Sequence, residues 1–463
     1  MKSRIFWLEI AFVALLAIGL GLNATSYGDG LDPKTLEGFR QSCNLSGTNR
    51  AIYNAATGNS LAQLTLNREI LQNDNALFSN TVKVNGITNQ KGSERCWLFG
   101  SLNVLRPEVM KKYKIESFQF SENYLAFWDK MEKANCFLEY MIELADRDPL
   151  DREMSMLLKK PIQEGGWWDY TTALIEKYGV VPADAMPEAA NSENSALLFS
   201  LLQQKLRVDA VTLRKMKKDG KPAAELQAAK KKMLEEVYRM VVLSVGEPPQ
   251  TFVWRYADKD GKSIATEPLT PQQFYKDKIG IDLSQYVCLM HHPMHPYQKH
   301  YVFARTRNMI DGKDQNFLNV DIGELKEFAV KAICDNQPVC FAADVTPDQD
   351  RGIMAVGLRD YESLFGVKLS LDKTDAMLMR QSTSNHVMVF VAVDLKDGKP
   401  VKWKVENSWG AAAGKGGYWH LYDNWFDKYV YCLVIRKAYL PAKTLQLLEE
   451  EPTVIPMWDP LAE

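Results

Sequence analysis

Cys96 stands in the window NQKGSERCWLFG, at the opening turn of a predicted helix. First-turn N–H groups and the helix dipole favour an anion there, which draws a thiol toward thiolate. Gln90 lies six residues earlier, on a loop that can fold back and aim its side-chain amide at the same point. Together with the Cys96 backbone N–H, such a donor would hold the oxyanion formed when sulfur attacks a carbonyl. Taken alone, a cysteine at a helix start is more often a small buried hydrophobe.

Two further windows supply what that nucleophile would need. His386 lies in HVMVFVAVDL, a stretch with strand character; a neutral imidazole there can take the thiol proton and return it to a leaving amine. Twenty-one residues on, VENSWG brings Asn407. Its amide oxygen, placed opposite the imidazole, would set the tautomer and ring orientation. Trp409, two positions later, would shield that bond from water. The bland reading of His386 alone is a satisfied sheet histidine, but the ordered set of Gln, Cys, His and Asn is specific.

The elements that must position these groups are partly legible. A helical pattern opens at Cys96 and runs through CWLFGSLNVLRPEVMKKY, with Pro107 marking a break or kink. More helices follow to Tyr178, and KYGVVP closes them. Residues 191–244 form a lysine-rich helical stretch. From Gln337 the pattern turns to strands, and HVMVFVAVDL and VKWKVENSW, joined by KDGKP with Asp397 and Gly398 at its centre, predict a β-hairpin. The last segment, LQLLEEEPTVIPMWDPLAE, predicts an extended tail tied down against the body.

The chain has 463 residues, enough for a large core, and its 46% hydrophobic and 25% charged residues exclude disordered and fibrous classes. A net charge of −2 offers no global pull toward nucleic acid or anionic membrane. Seven cysteines without a CxxC pair suggest neither a zinc ribbon nor a redox motif. At the N-terminus, Lys2 and Arg4 precede an apolar run from Ile10 to Leu22, the pattern of a signal peptide, with an uncleaved anchor or an ordinary buried helix as alternatives.

With these residues in place, the chain resembles the papain-like cysteine peptidases through QKGSERCW, NHVMVFVAV and VENSWG. The 290 residues between Cys96 and His386 exceed the plain papain spacing and point to the bleomycin hydrolase and aminopeptidase C branch. FSENYLAFWDKMEKANCFLE, EGGWWDYTTALIEKYGVVPADAMPE, VGEPPQTFVWRYADKDGK, HPYQKHY, RDYESLFGV and EPTVIPMWDPLAE resemble segments of that branch in the same order.

The resemblance implies an α+β fold: a helical left half, a β-barrel-like right half, a helical insertion, and a C-terminal tail in the cleft. Taken with the N-terminal signal pattern, it divides the chain into a signal peptide or anchor (1–24), an N-terminal helical extension (25–80), a nucleophile-bearing helical half (81–190), a helical insertion and oligomerisation region (191–330), a β-rich half (331–440) and a tail (441–463). By the same resemblance Cys96 is the nucleophile, His386 the base and acid, Asn407 the orienting residue and Gln90 the oxyanion donor. A homo-hexamer is implied, with peptide substrates, no cofactor beyond a reduced thiol, and a tail whose last residue, Glu463, meets the substrate's amino group. The expected activity is that of a thiol aminopeptidase. The family tail reads WDPMGALA where this chain has WDPLAE. That shortening suggests, as an alternative, endopeptidase action or longer-step trimming. The signal pattern implies export, whereas the resemblance implies a cytoplasmic enzyme.

Other features carry bland readings. His291, His292 and His295, with His300 nearby, lie in a Pro-rich loop without an evident carboxylate partner, so no metal is expected. Between Lys205 and Met233, ten Lys or Arg face three acids. No aromatic residue interleaves them, so a solvated helical face is preferred over a nucleic-acid site. Besides Cys96, six cysteines (Cys43, Cys136, Cys288, Cys334, Cys340, Cys432) remain, and buried free thiols are preferred over disulfides.

Overall fold

A computed structural model describes residues 30–462. The signal or anchor at 1–24 and the terminal Glu463 lie outside the described residues. Two compact units are present, and the described part of the first runs to Leu64. It contains the helices Pro33–Ser42, Gly47–Gly58 and Leu61–Leu64. Asp32 caps the first of these by accepting from the Thr35 N–H, the ordinary use of an aspartate before a helix.

The second unit, Thr65 to Glu463, holds the chemistry. Its helical part is built on Cys96–Tyr113, Glu122–Glu143, Trp168–Tyr178, Ala196–Lys218 and Ala223–Val245. Cys96–Tyr113 is buried nearly all round, which is why its sequence shows little amphipathic stripe. Pro107 neither breaks nor ends it, since the helix runs on to Tyr113 and stops at Lys114 with positive φ. Pro107 removes one ladder bond, whereas most of the residues before it are buried, and that packing decides the outcome.

Most strands belong to one mixed sheet. Its order is Thr453–Ile455, Lys299–Phe303, Asn316–Asn319, Tyr286–Met290, Val430–Arg436, Val339–Ala343, His386–Lys396, Lys399–Glu406, Tyr418–Tyr422, Ile353–Met354, Gln349–Asp350. The predicted hairpin is present, with Asp397 at φ 52° and Gly398 at φ 77°, the two left-handed positions that a tight hairpin turn requires. The region 191–330, expected to be helical, is helical only as far as Val245, apart from short helical turns and the start of a helix at Ile322. Its strands Tyr286–Met290, Lys299–Phe303 and Asn316–Asn319 lie in the main sheet. YVCLM is buried at every position, and such a continuous apolar run shows no alternation to distinguish strand from helix.

The two parts meet where the Cys96 helix crosses the strand that begins at His386. A β-carbon added at Gly100 would stand 2.7 Å from Val387 Cγ1, so only glycine allows this approach. Gly166 does the same under the Trp97 ring, where an added β-carbon would meet ring atoms at 2.7 Å. All seven cysteines are free, although the sulfurs of Cys288 and Cys432 lie 3.2 Å apart.

Candidate active site

Arg95 precedes the Cys96 helix, and its side chain makes no cap with the first turn. It turns away to a bidentate pair with Glu188, at 2.9 Å on both arms, and to Ser93 Oγ. The first-turn N–H groups are thereby left uncapped by side chains. The loop is held from behind by Glu164, whose carboxylate accepts from the Glu94 N–H at 2.8 Å and from Ser195 Oγ at 2.5 Å.

The Cys96 helix packs against the strand that begins at His386, at Val387, the residue after it. The backbone N–H groups of Val387 and Trp97 favour the Cys96 thiolate, and a β-carbon at Gly100 on the Cys96 helix would stand 2.7 Å from Val387 Cγ1. Cys96 is half-buried and His386 is buried. His386 Nε2 meets Asn407 Oδ1 at 2.8 Å. The Ser408 backbone N–H donates to the same oxygen at 2.8 Å, which determines the amide orientation, because a flipped amide would set donor against donor. Nε2 therefore carries the proton, and Nδ1 keeps its lone pair. Trp409 lies over the imidazole with ring centroids 4.7 Å apart and planes 29° from parallel, and Trp419 meets Trp409 edge-on at 5.3 Å.

Gln90 is placed by a short antiparallel pairing of 88–90 with 408–410. The Gln90 N–H donates to Ser408 O at 2.8 Å, and the Gly410 N–H to Thr88 O at 3.0 Å. Its side-chain oxygen accepts from Ser408 Oγ at 2.7 Å, and its Nε2 donates to Ser93 O at 2.6 Å. One N–H of that amide is thus spent on the loop, and the second is the one available to a ligand. Ser408 is the residue that sequence reading missed: it touches both Asn407 and Gln90, and its only sequence signal is its place directly after Asn407.

Burial governs the titration of both reactive groups. It pushes the Cys96 thiol up to about 11, against the Val387 and Trp97 N–H groups that favour the thiolate, and the carboxylates of Glu94 and Glu164 push the same way as burial. The sequence-based expectation of a lowered thiol is therefore corrected: desolvation outweighs the helix terminus. Burial also pushes His386 down to about 4, opposed by its bond to Asn407.

The remaining candidates resolve as follows. Asp459 supplies the carboxylate that the histidine loop lacked in sequence: it meets His292 at 2.8 Å and His295 at 3.1 Å, and one donor atom from each of the three residues lies within 4.8 Å of the others. His291 Nδ1 lies 3.3 Å from Val320 O, and His300 Nδ1 lies 3.0 Å from Glu450 O. The basic stretch is partly engaged internally, while Lys215, Lys217, Lys218, Lys231 and Lys232 are exposed. Lys205 pairs with Asp209 and Glu236, Lys230 with Glu139, and Arg207 and Arg214 donate to backbone carbonyls.

A thiol at a helix start and an imidazole that an amide orients, on a helix and a strand packed together in an α+β chain, are the parts of a cysteine peptidase. The chain belongs to the Peptidase C1-like family, whose profile matches residues 30–462. Aminopeptidase C of Lactobacillus delbrueckii subsp. lactis is 36% identical over 434 residues, 92% of this chain and 97% of that protein. Bleomycin hydrolase of Homo sapiens is 37% identical over 422 residues, 88% of this chain and 93% of that protein. The crystal structure of PepW from Lactobacillus rhamnosis HN001 superposes with a TM-score of 0.92 at 38% identity, covering 94% of this chain and 99% of that one.

Proposed function

We propose that this chain is a thiol-dependent aminopeptidase in which Cys96 is the nucleophile, His386 the general base and acid, Asn407 the orienting residue and Gln90 an oxyanion donor. Cys96 sulfur attacks the carbonyl after the first residue while its proton passes to His386 Nδ1. The Cys96 N–H and the second Gln90 Nε2–H hold the oxyanion. His386 then protonates the leaving amine, and water, activated by the same imidazole, releases the acyl group from sulfur. Because burial resists a lone charge on either group, the pair charges together, by transfer of one proton within it. A reduced thiol is needed, and no cofactor takes part.

The observation that carries this reading is the 2.8 Å contact of His386 Nε2 with Asn407 Oδ1, on a strand that packs against the Cys96 helix at Gly100. The test is a cleavage profile on peptides with free and acetylated N-termini, with reductant. Single-residue release from free N-termini, lost in Cys96→Ala, is expected; internal cuts with equal use of blocked peptides would point to an endopeptidase.

Exclusion of blocked peptides is assigned to the tail, with Glu463 meeting the substrate's amino group. Self-assembly, as a hexamer, is supported by Leu197, Leu201, Val208 and Val211, which are exposed at spacings of one face of Ala196–Lys218; such stripes mark association surfaces. Light scattering on the native chain and on a Val208→Glu, Val211→Glu variant tests it, the variant being expected to dissociate. Export is supported by the residues before 25. Among the described residues no helix is long and apolar enough to cross a membrane. Sequencing the mature N-terminus tests export, and recovery of Met1 in soluble cytosol would end it.

A further inference from the structure

The histidine loop closes on the tail. Asp459 lies in the turn after strand Thr453–Ile455, and its carboxylate takes His292 Nε2 on one oxygen and His295 Nε2 on the other. The first oxygen also accepts the Leu461 N–H at 2.9 Å. The loop is itself rigid. The His292 N–H donates to Asn319 Oδ1 at 2.8 Å, and Asn319 Nδ2 returns to the carbonyls of His292, His295 and Pro296 at 2.9–3.1 Å.

Beyond Asp459, Leu461 is buried in a cluster with Met290, Phe303, Phe317 and Tyr431, against which Ala462, Trp167 and Val387 pack. Val387 follows His386 and packs on Gly100 of the Cys96 helix. The clasp on Asp459 is therefore a fixed point within three residues of the chain that packs in the same cluster as Val387, beside His386. A weaker tie, Thr383 Oγ to Pro460 O at 2.6 Å, follows it.

We infer that His292 and His295, through Asp459, set how far the tail reaches along the cleft and so decide the discrimination between free and blocked peptide N-termini. This rests on the aminopeptidase reading. The three are positioning residues, since none touches the reacting atoms.

The test compares kcat/KM for an aminoacyl-coumarin with that for its N-acetylated form, in the native chain, Asp459→Asn and the half-buried His295→Gln. Hydrogen exchange at Leu461 and Ala462 is read by mass spectrometry. Both variants are expected to lose about tenfold or more of the free-over-blocked ratio, chiefly by gain on the blocked substrate, with faster exchange at both tail residues and an unchanged count of titratable Cys96. An unchanged ratio in His295→Gln, which keeps the test alive where Asp459→Asn does not fold, would overturn the inference. So would unchanged exchange, or one zinc ion per native chain that Asp459→Asn loses. A native chain with no preference for free N-termini would instead sink the aminopeptidase reading itself.

Discussion

Ser408 Oγ donates to Gln90 Oε1 at 2.7 Å across 318 residues of chain, while the Ser408 N–H holds Asn407 Oδ1. One buried residue thus aligns the proposed oxyanion donor and the proposed orienting amide. Replacing Gln90 by Ala is expected to lower kcat by about 10²–10³. Ser408→Ala leaves the Gln90 amide held at Ser93 O but frees its oxygen, and its loss should be about tenfold, with KM little changed. A Ser408→Ala enzyme as slow as Gln90→Ala, or as fast as the native one, would refute the alignment role.

Asn407 acts on His386 through a bond that selects the tautomer. Asn407→Ala is expected to cut kcat by about 10–100-fold without abolishing modification of Cys96 by a thiol reagent, because the nucleophile itself is untouched. Circular dichroism controls for folding, since Asn407 is fully buried. Complete loss of thiol modification in a folded variant would contradict the assignment.

The pH profile follows from the direction of the two shifts. Burial lowers His386 to about 4 from an ordinary value of 6.5. Protonated His386 cannot accept the thiol proton, so kcat/KM should hold as pH falls through 6.5 and drop only near 4. Burial raises the thiol to about 11, so the alkaline limb should lie well above pH 8.5. Steady-state rates across pH, with stability checked at each point, decide this, and an acid limb at 6.5 would overturn it.

Arg106 and Glu406 form a buried pair at 2.8 Å, joining the Cys96 helix to the strand that leads into Asn407. Burial raises Glu406 to about 7 even with Arg106 beside it. Arg106→Ala should cost about 3–5 kcal/mol where Glu406 is ionised. A carboxyl raised in the fold contributes stability below its ordinary value near 4.5 that is lost as pH rises through about 7. The variant should therefore lose more at pH 8 than at pH 5. Denaturant melts at both pH values test it, and an equal loss would show that packing, not charge, dominates.

Gly100→Ala places a methyl group 2.7 Å from Val387 Cγ1. The helix and strand must separate, at about 1–3 kcal/mol, and the Cys96 sulfur must move relative to the Val387 N–H. Activity should fall more than the shift in melting temperature alone explains, which activity measured well below that temperature will show.

Local chemistry in the sequence carried much of this. The helix from Cys96, the hairpin from His386, its Asp397–Gly398 turn and the contact of His386 with Asn407 were legible because each rests on neighbours within a few positions or on one hairpin. The break expected at Pro107 did not occur, because burial outweighed the lost ladder bond. Tyr286–Met290 misled because a continuous apolar run has no period to read. The thiol was expected low because a helix terminus is visible in sequence and desolvation is not.

What the sequence determined by itself is the set of reactive groups and the local backbone that presents each: a thiol at a helix start, an imidazole at a strand start, an amide after a hairpin. Only the tertiary structure decided which groups meet. Ser408 reaches Gln90, Arg106 reaches Glu406 and Asp459 reaches His292 through contacts between residues far apart in the chain. Such contacts leave no local periodicity, because they are selected by the packing of helix against sheet and not by the residues beside them.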